Sequence, residues 1–265
     1  MSVSVDRIKL GRGKAVAAVL TLNRPEALNA IDWAMLRAID AALDGLDDSV
    51  RCVLVTGAGR AFSAGGDLKS YVKLQRDPVA FPQFVEHLHT TFGRFRTLPV
   101  PAIALVNGVT AAGGLELLLN CDFTIVGRSA RIADGHLNFG QMGGGGVLTL
   151  LPRAIGRERA MELLMTGRFL SSDECVAWGL ANRVVDDDQL LPTGIELAKG
   201  IAEKSPLAVR NAKEVLHGVW ADNGTVDAGL RFERERDAFY CLTSHDAPEG
   251  LQAFAEKRTP RFKGK

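Results

Sequence analysis

The stretch LPVPAIALVNGVTAAGGLELLLNCDFTIV, residues 98–126, decides how this chain is read. It is apolar enough to suggest a membrane span, yet Pro99, Pro101, Asn107, Gly108, the Gly113–Gly114 pair, Glu116 and Asp122 interrupt it. A strand over 101–108, a tight turn, a buried helix over 113–119 and a second strand over 122–127 explain the same composition. No membrane association is therefore expected. The helix would carry Glu116 into the interior, where a carboxylate is costly unless it is paired or used.

The same alternation continues on either side. VAAVLTL (16–22) and CVLVTG (52–57) read as further buried strands, and helical patterns cover 32–46, 79–97 and 157–165, with Asp32 as N-cap of the first. This is an α/β arrangement in a rough ββα rhythm. Residues 70–78 read as a loop. From about Ser171 onward the pattern is helical, over 172–178, 189–204, 206–219, 225–242 and 247–256. The four-glycine run 143–146 is read either as a flexible turn or as a substrate-facing loop.

Composition narrows the function class. The net charge is +1 with 24% charged residues, which implies neither a nucleic-acid-binding stripe nor an acidic tail. Cys52, Cys121, Cys175 and Cys241 are far apart without a CxxC pair, so buried reduced thiols are expected rather than a metal or redox site. MSVSVDRIKLGRGK lacks a signal-peptide core and a transit-peptide pattern, which makes cytoplasmic residence the expectation.

Two short stretches carry the chemistry. AFSAGGDLK (61–69) and NGVTAAGGLELL (107–118) each lead from a strand through small residues into an amphipathic segment. Where no Cβ blocks the approach, backbone N–H groups can point at a ligand. Two of them would polarise one carbonyl, such as a thioester oxygen that becomes an enolate, and one such donor is typically worth roughly 2.7–4 kcal/mol in the transition state. Ser63 has no histidine near it in sequence, so acyl-enzyme chemistry is disfavoured.

With NRPEALNAI (23–31), LLPRAIGRERAMELLMTGR (150–168), WGLANRVV (178–185) and AFAEKRTPRFKG (253–264), these stretches make the chain resemble the enoyl-CoA hydratase/isomerase (crotonase) family over nearly its whole length. The resemblance implies a crotonase-like spiral of ββα units over residues 1–200. A helical oligomerisation region over 201–265 would build trimers or dimers of trimers. It also implies an acyl-CoA thioester substrate, with coenzyme A as part of that substrate and no separate cofactor or metal.

Carried over residue by residue, the resemblance makes Gly66 and Gly113 the oxyanion donors and Glu116 one of two catalytic carboxylates. The second carboxylate position falls on His136, which departs from the family pattern and puts the reaction in question. Histidine can take over acid/base work because its unperturbed pKa lies near ~6.5. Asp134 would orient it or act in its place. Coenzyme A is expected against Ala27, Leu28, Ala64, Asp67, Leu68 and Lys69, with Phe254 and Lys257 supplied by a neighbouring subunit. Glu26 stands where some members carry a basic residue. The resulting expectation is an enoyl-CoA hydratase. Alternatives are an isomerase, decarboxylase or hydrolase using the single glutamate, or a non-catalytic acyl-CoA-binding protein.

Overall fold

In this computed structural model, residues 1–11, 13–221 and 225–265 are described. In chain order the elements are β1 (Val3–Lys9), β2 (Val16–Leu22), α1 (Trp33–Asp44), β3 (Val50–Gly57), β4 (Ala61–Ser63), α2 (Leu68–Leu74) and α3 (Ala80–Thr97). They continue with β5 (Ala102–Val106), β6 (Val109–Ala111), α4 (Gly113–Leu119), β7 (Phe123–Gly127), β8 (Arg131–Ala133), α5 (Val147–Ile155) and α6 (Arg157–Thr166). The last are β9 (Leu170–Ser171), α7 (Ser172–Trp178), β10 (Arg183–Val185), α8 (Leu190–Ala202), α9 (Pro206–Ala221), α10 (Val226–Thr243) and α11 (Asp246–Ala255).

Strands β1-β2-β3-β5-β7-β10 form one sheet and β4-β6-β8-β9 a second, smaller one. The pairings β2–β3, β3–β5, β5–β7 and β7–β10 are parallel, as are β4–β6 and β6–β8. The chain thus lays one strand in the large sheet, the next short strand in the small sheet, and then a helix, which is the expected ββα spiral. All five residues of β5 are buried, because helices cover both faces of the large sheet. One core cluster joins the sheet to α1, α3, α4 and α5, and a second lies under α8. Helix α8 lies close because residue 194 is glycine: a Cβ there would come within 2.7 Å of Leu105 Cδ1.

The interrupted apolar stretch folds as read from sequence, into β5, the short β6, α4 and β7. Among the described residues no helix is long and apolar enough to cross a membrane. The Asp32 side chain caps α1 by accepting the Met35 N–H at 2.8 Å. Two expectations need correction, and one helix is added to those read from sequence. Residues 70–78 are not a loop throughout, because the Asp67 carboxylate caps the Ser70 N–H and starts α2. The 147–155 segment, with Pro152 in its interior, is the helix α5. Cys241 is exposed on α10, while Cys52, Cys121 and Cys175 are buried as expected.

Candidate active site

The ends of β4, β6 and β8 converge, and each leads into a loop that delivers functional groups. After β4, Ile31 N–H donates to the Gly65 carbonyl at 2.8 Å and Asp67 N–H donates to the Ile31 carbonyl at 2.9 Å. Gly66 lies between these two bonds, so its own N–H faces away from Ile31, on the side of the bridge that lines a cavity. After β6, Gly113 is the first residue of α4, where a helix leaves its N–H groups without intrahelical partners. The two loops touch, since a Cβ on Gly65 would lie 2.8 Å from the Ala111 carbonyl oxygen and 3.2 Å from the Gly113 nitrogen. Ala112 turns the chain here with φ 49° and ψ −118°, a conformation that costs a non-glycine residue on the order of 1–3 kcal/mol.

Glu116 lies one turn along α4 and is 1% exposed. Its Oε1 accepts the N–H groups of Gly144 at 3.1 Å, Gly145 at 2.7 Å and, more loosely, Val147 at 3.4 Å. The four-glycine run is therefore a cradle for this carboxylate. Gly143 and Gly144 also line the cavity. Side chains are excluded from the cradle, because a Cβ on Gly143 or Gly145 would come within 2.8 Å or 2.9 Å of the carboxylate oxygens. Asn120 Nδ2 ties the cradle to the helix by donating to the Glu116 carbonyl at 2.8 Å and the Gly145 carbonyl at 3.1 Å.

The loop after β8 brings the third group. Gly135, at φ 70°, turns the chain into a short 3-10 turn that starts at His136. Asp134 Oδ1 lies 2.7 Å from His136 Nδ1, and Asp134 Oδ2 accepts the His136 backbone N–H at 3.2 Å. With Nδ1 engaged, Nε2 faces the free Glu116 Oε2 at 3.9 Å. Burial raises the Glu116 pKa, opposed in part by His136 and by the cradling amides. For His136, burial pulls the pKa down, but the Asp134 hydrogen bond and the Glu116 and Asp134 charges outweigh it, and the net direction is upward.

These groups open onto a cavity of about 920 Å³. Of the residues singled out in sequence, Glu116, His136, Gly66, Gly113, Ala27, Ala64, Asp67, Leu68 and Lys69 line it. Leu28 does not. It supports the wall through its carbonyl, which accepts the Ala64 N–H at 2.9 Å. Phe254 and Lys257 belong to the C-terminal end and are not part of this wall. Arg24 lines the cavity but is committed to Asp32 at 2.9 Å and Asp67 at 3.0 Å, which fixes the loop that carries Ala27. Ser63 is buried, donates to the Asn29 carbonyl at 2.9 Å and accepts the Gly65 N–H at 3.2 Å, so it braces the Gly66 loop. Asn120 and the glycine cradle were not singled out for these roles in sequence. The glycine run is read from sequence as a flexible turn or a substrate-facing loop, and Gly143 and Gly144 do line the cavity.

Residues 12–265 match the family model described as enoyl-CoA hydratase/isomerase. The chain belongs to the enoyl-CoA hydratase/isomerase family. It is 37% identical over 250 residues to 1,2-epoxyphenylacetyl-CoA isomerase of Escherichia coli (strain K12), covering 93% of this chain and 94% of that one. The crystal structure of enoyl-CoA hydratase from Bacillus anthracis superposes with a TM-score of 0.91 at 35% identity, covering both chains fully. That of a Mycobacterium smegmatis enoyl-CoA hydratase gives 0.89 at 32%, covering 99% of each. The crotonase-like fold and the family of acyl-CoA thioester enzymes follow directly. Among the described residues no group of three or more His, Cys, Asp or Glu side chains is placed to hold a metal ion.

Proposed function

We propose that this family member is an enoyl-CoA hydratase in which Glu116 and His136 form the acid/base pair. The observation that supports the reading is the 3.9 Å separation of Glu116 Oε2 from His136 Nε2 at the cavity wall. A water oxygen can then sit about 2.8 Å from both atoms. The pair holds one proton. The amides around Oε1 favour a carboxylate on Glu116, and the Asp134 hydrogen bond favours an imidazolium on His136.

In this mechanism Glu116 Oε2 takes a proton from the water as its oxygen adds to the β-carbon of a 2-trans-enoyl thioester. The negative charge moves onto the thioester oxygen, which accepts the Gly66 and Gly113 N–H groups. His136 Nε2–H gives its proton to the α-carbon as the enolate collapses. The proton on Oε2 then returns to Nε2 and restores the pair. Asp134 keeps the imidazole oriented. Coenzyme A lies along Ala27, Ala64 and Lys69, and Phe254 and Lys257 reach the site of a neighbouring copy in an oligomer.

The test is to incubate the protein with crotonyl-CoA in H₂¹⁸O and follow the product by mass spectrometry. One labelled oxygen in 3-hydroxybutyryl-CoA is expected. Glu116→Gln should lower kcat by about 10²–10⁴-fold, the usual contribution of a positioned acid/base group. Retained crotonyl-CoA binding without label would overturn hydration. Deuterium exchange next to the thioester would in that case point to double-bond migration through one shuttling group.

A further inference from the structure

A second cavity, of about 480 Å³, lies beside the first and includes Trp33, Arg37, Leu74, Ala80 and Phe84 in its wall. Among the described residues, Tyr71 of α2 is the one that lines both cavities. Its ring stands edge-on to Phe84, with centroids 5.3 Å apart, and edge-on to Phe81 at 6.1 Å. Phe81 faces the large cavity and Phe84 the small one. The partition between the two spaces is therefore an aromatic stack centred on Tyr71.

One feature makes this partition movable and two place it beside the catalytic groups. No residue of α2 is fully buried, and Tyr71 and Leu74 are its two side chains that pack against the core. A helix anchored by so little apolar burial belongs to the low-stability end of a structure. The ring also rests against the oxyanion loop, since a Cβ on Gly66 would lie 2.9 Å from Tyr71 Cε2. Finally, burial and the nearby Glu116 charge raise the Tyr71 pKa, so the phenol stays neutral in this wall.

We propose that Tyr71 sets the acyl length this protein accepts, by closing the second cavity to short acyl groups and turning aside to admit the far end of long ones. This rests on the reading of the large cavity as an acyl-thioester site. The head of the cavity is occupied by the Gly66, Gly113 and Glu116 groups, and Tyr71 stands at its apolar side with Val85 and Leu88. A short chain ends against the phenol ring. A longer one has to displace it and enters the space bounded by Leu74, Ala80 and Phe84.

The experiment compares the dissociation constants of butyryl-CoA and lauroyl-CoA, saturated thioesters whose binding is read by calorimetry and requires no turnover. Tyr71→Ala should improve lauroyl-CoA binding relative to butyryl-CoA by tenfold or more, and Tyr71→Phe should leave the ratio near that of the parent protein. Ala80 lines the second cavity only, so adding Ala80→Trp to Tyr71→Ala should fill that space and return the ratio to the parent value. An unchanged ratio in a folded Tyr71→Ala protein would overturn the proposal, and so would a shift that Ala80→Trp fails to reverse. If Tyr71→Ala does not fold, Tyr71→Leu keeps apolar packing on α2 and should shift the ratio in the same direction. Failure of the hydratase reading shows separately, as absence of ¹⁸O incorporation with the binding ratio still shifted. Loss of all acyl-CoA binding by the parent protein would remove the premise and with it the proposal.

Discussion

Asp134 decides how long His136 keeps its proton as the pH rises. Burial pulls the imidazole pKa down, and the 2.7 Å contact with Asp134 together with the Glu116 charge pulls it up further than burial lowers it. A group with a raised pKa holds its proton until the pH passes that raised value, so the proton-donating form of His136 persists above the usual ~6.5. Glu116 is raised as well, chiefly by burial, so the loss of its carboxylate on acidification begins above the ordinary carboxylate range. The kcat/KM profile for crotonyl-CoA should be bell-shaped, with an acid limb above the ordinary carboxylate range and a basic limb above the ordinary histidine range. Asp134→Asn removes the hydrogen-bonded carboxylate and should move the basic limb to lower pH. A basic limb that stays in place in that variant would remove Asp134 from the mechanism.

Element by element, what could be read from sequence depended on whether local pattern or distant contact shapes the segment. β2, β3, β5 and β7 stand out because strands buried on both faces are nearly continuous apolar runs. α1 was legible because its cap, Asp32, lies next to its apolar face. In contrast, β4, β6, β8 and β9 are two or three residues long and exist by pairing with one another, which leaves almost no periodicity to detect. Helix α5 follows four glycines and contains Pro152, so local propensity argues against it, and its buried Val147, Leu151 and Ile155 override that. Glu116 and His136, which motif position singles out, both reach the cavity wall. Motif position does not single out the glycine cradle and Asn120, because hydrogen bonds to backbone amides leave no side-chain signature.

Glu249 in α11 accepts both terminal nitrogens of Arg258, at 2.7 Å and 3.0 Å, and the Arg261 N–H at 2.6 Å. These bonds, Arg258 first, hold its pKa at about 2. A carboxylate with a lowered folded pKa stabilises the fold above its unfolded value, about 4.3, and that stability is lost as the pH falls toward the folded value. Residues 258–265 should therefore gain amide exchange, beyond the intrinsic rate change, between pH 4.3 and about 2. Glu249→Gln should show the gain already at neutral pH. Hydrogen exchange read by mass spectrometry on that peptide distinguishes the two patterns.

At the scale of the whole molecule, a buried ion pair decides whether the C-terminal helices unfold with the sheet or ahead of it. Lys213 of α9 is 6% exposed, and its Nζ lies 2.8 Å from Asp122 Oδ2. The same Nζ donates to the Phe95 carbonyl at 2.8 Å and the Val100 carbonyl at 2.9 Å. Asp122 precedes β7, accepts the Ala102 N–H at 2.6 Å and meets His217 Nε2 at 2.6 Å. One lysine thus joins α9 to the end of α3 and to the starts of two central strands. Lys213→Met keeps the aliphatic stem but leaves Asp122 without its closest buried cation and two carbonyls without a donor. Removing one partner of a buried pair costs about 3–5 kcal/mol, because the remaining charge stays desolvated. Urea unfolding of Lys213→Met should show a stability loss of that size. If the pair fastens α9 to the sheet, the far-UV signal should also begin to fall at lower urea than the fluorescence of Trp33, which packs against Phe84 of α3 and is read with Trp178 and Trp220 replaced by Phe. Coincident transitions with a full-sized loss would mean that α9 and the sheet stay one cooperative unit even without the lysine. A loss under 1 kcal/mol would mean that the helix is fastened by its apolar contacts instead.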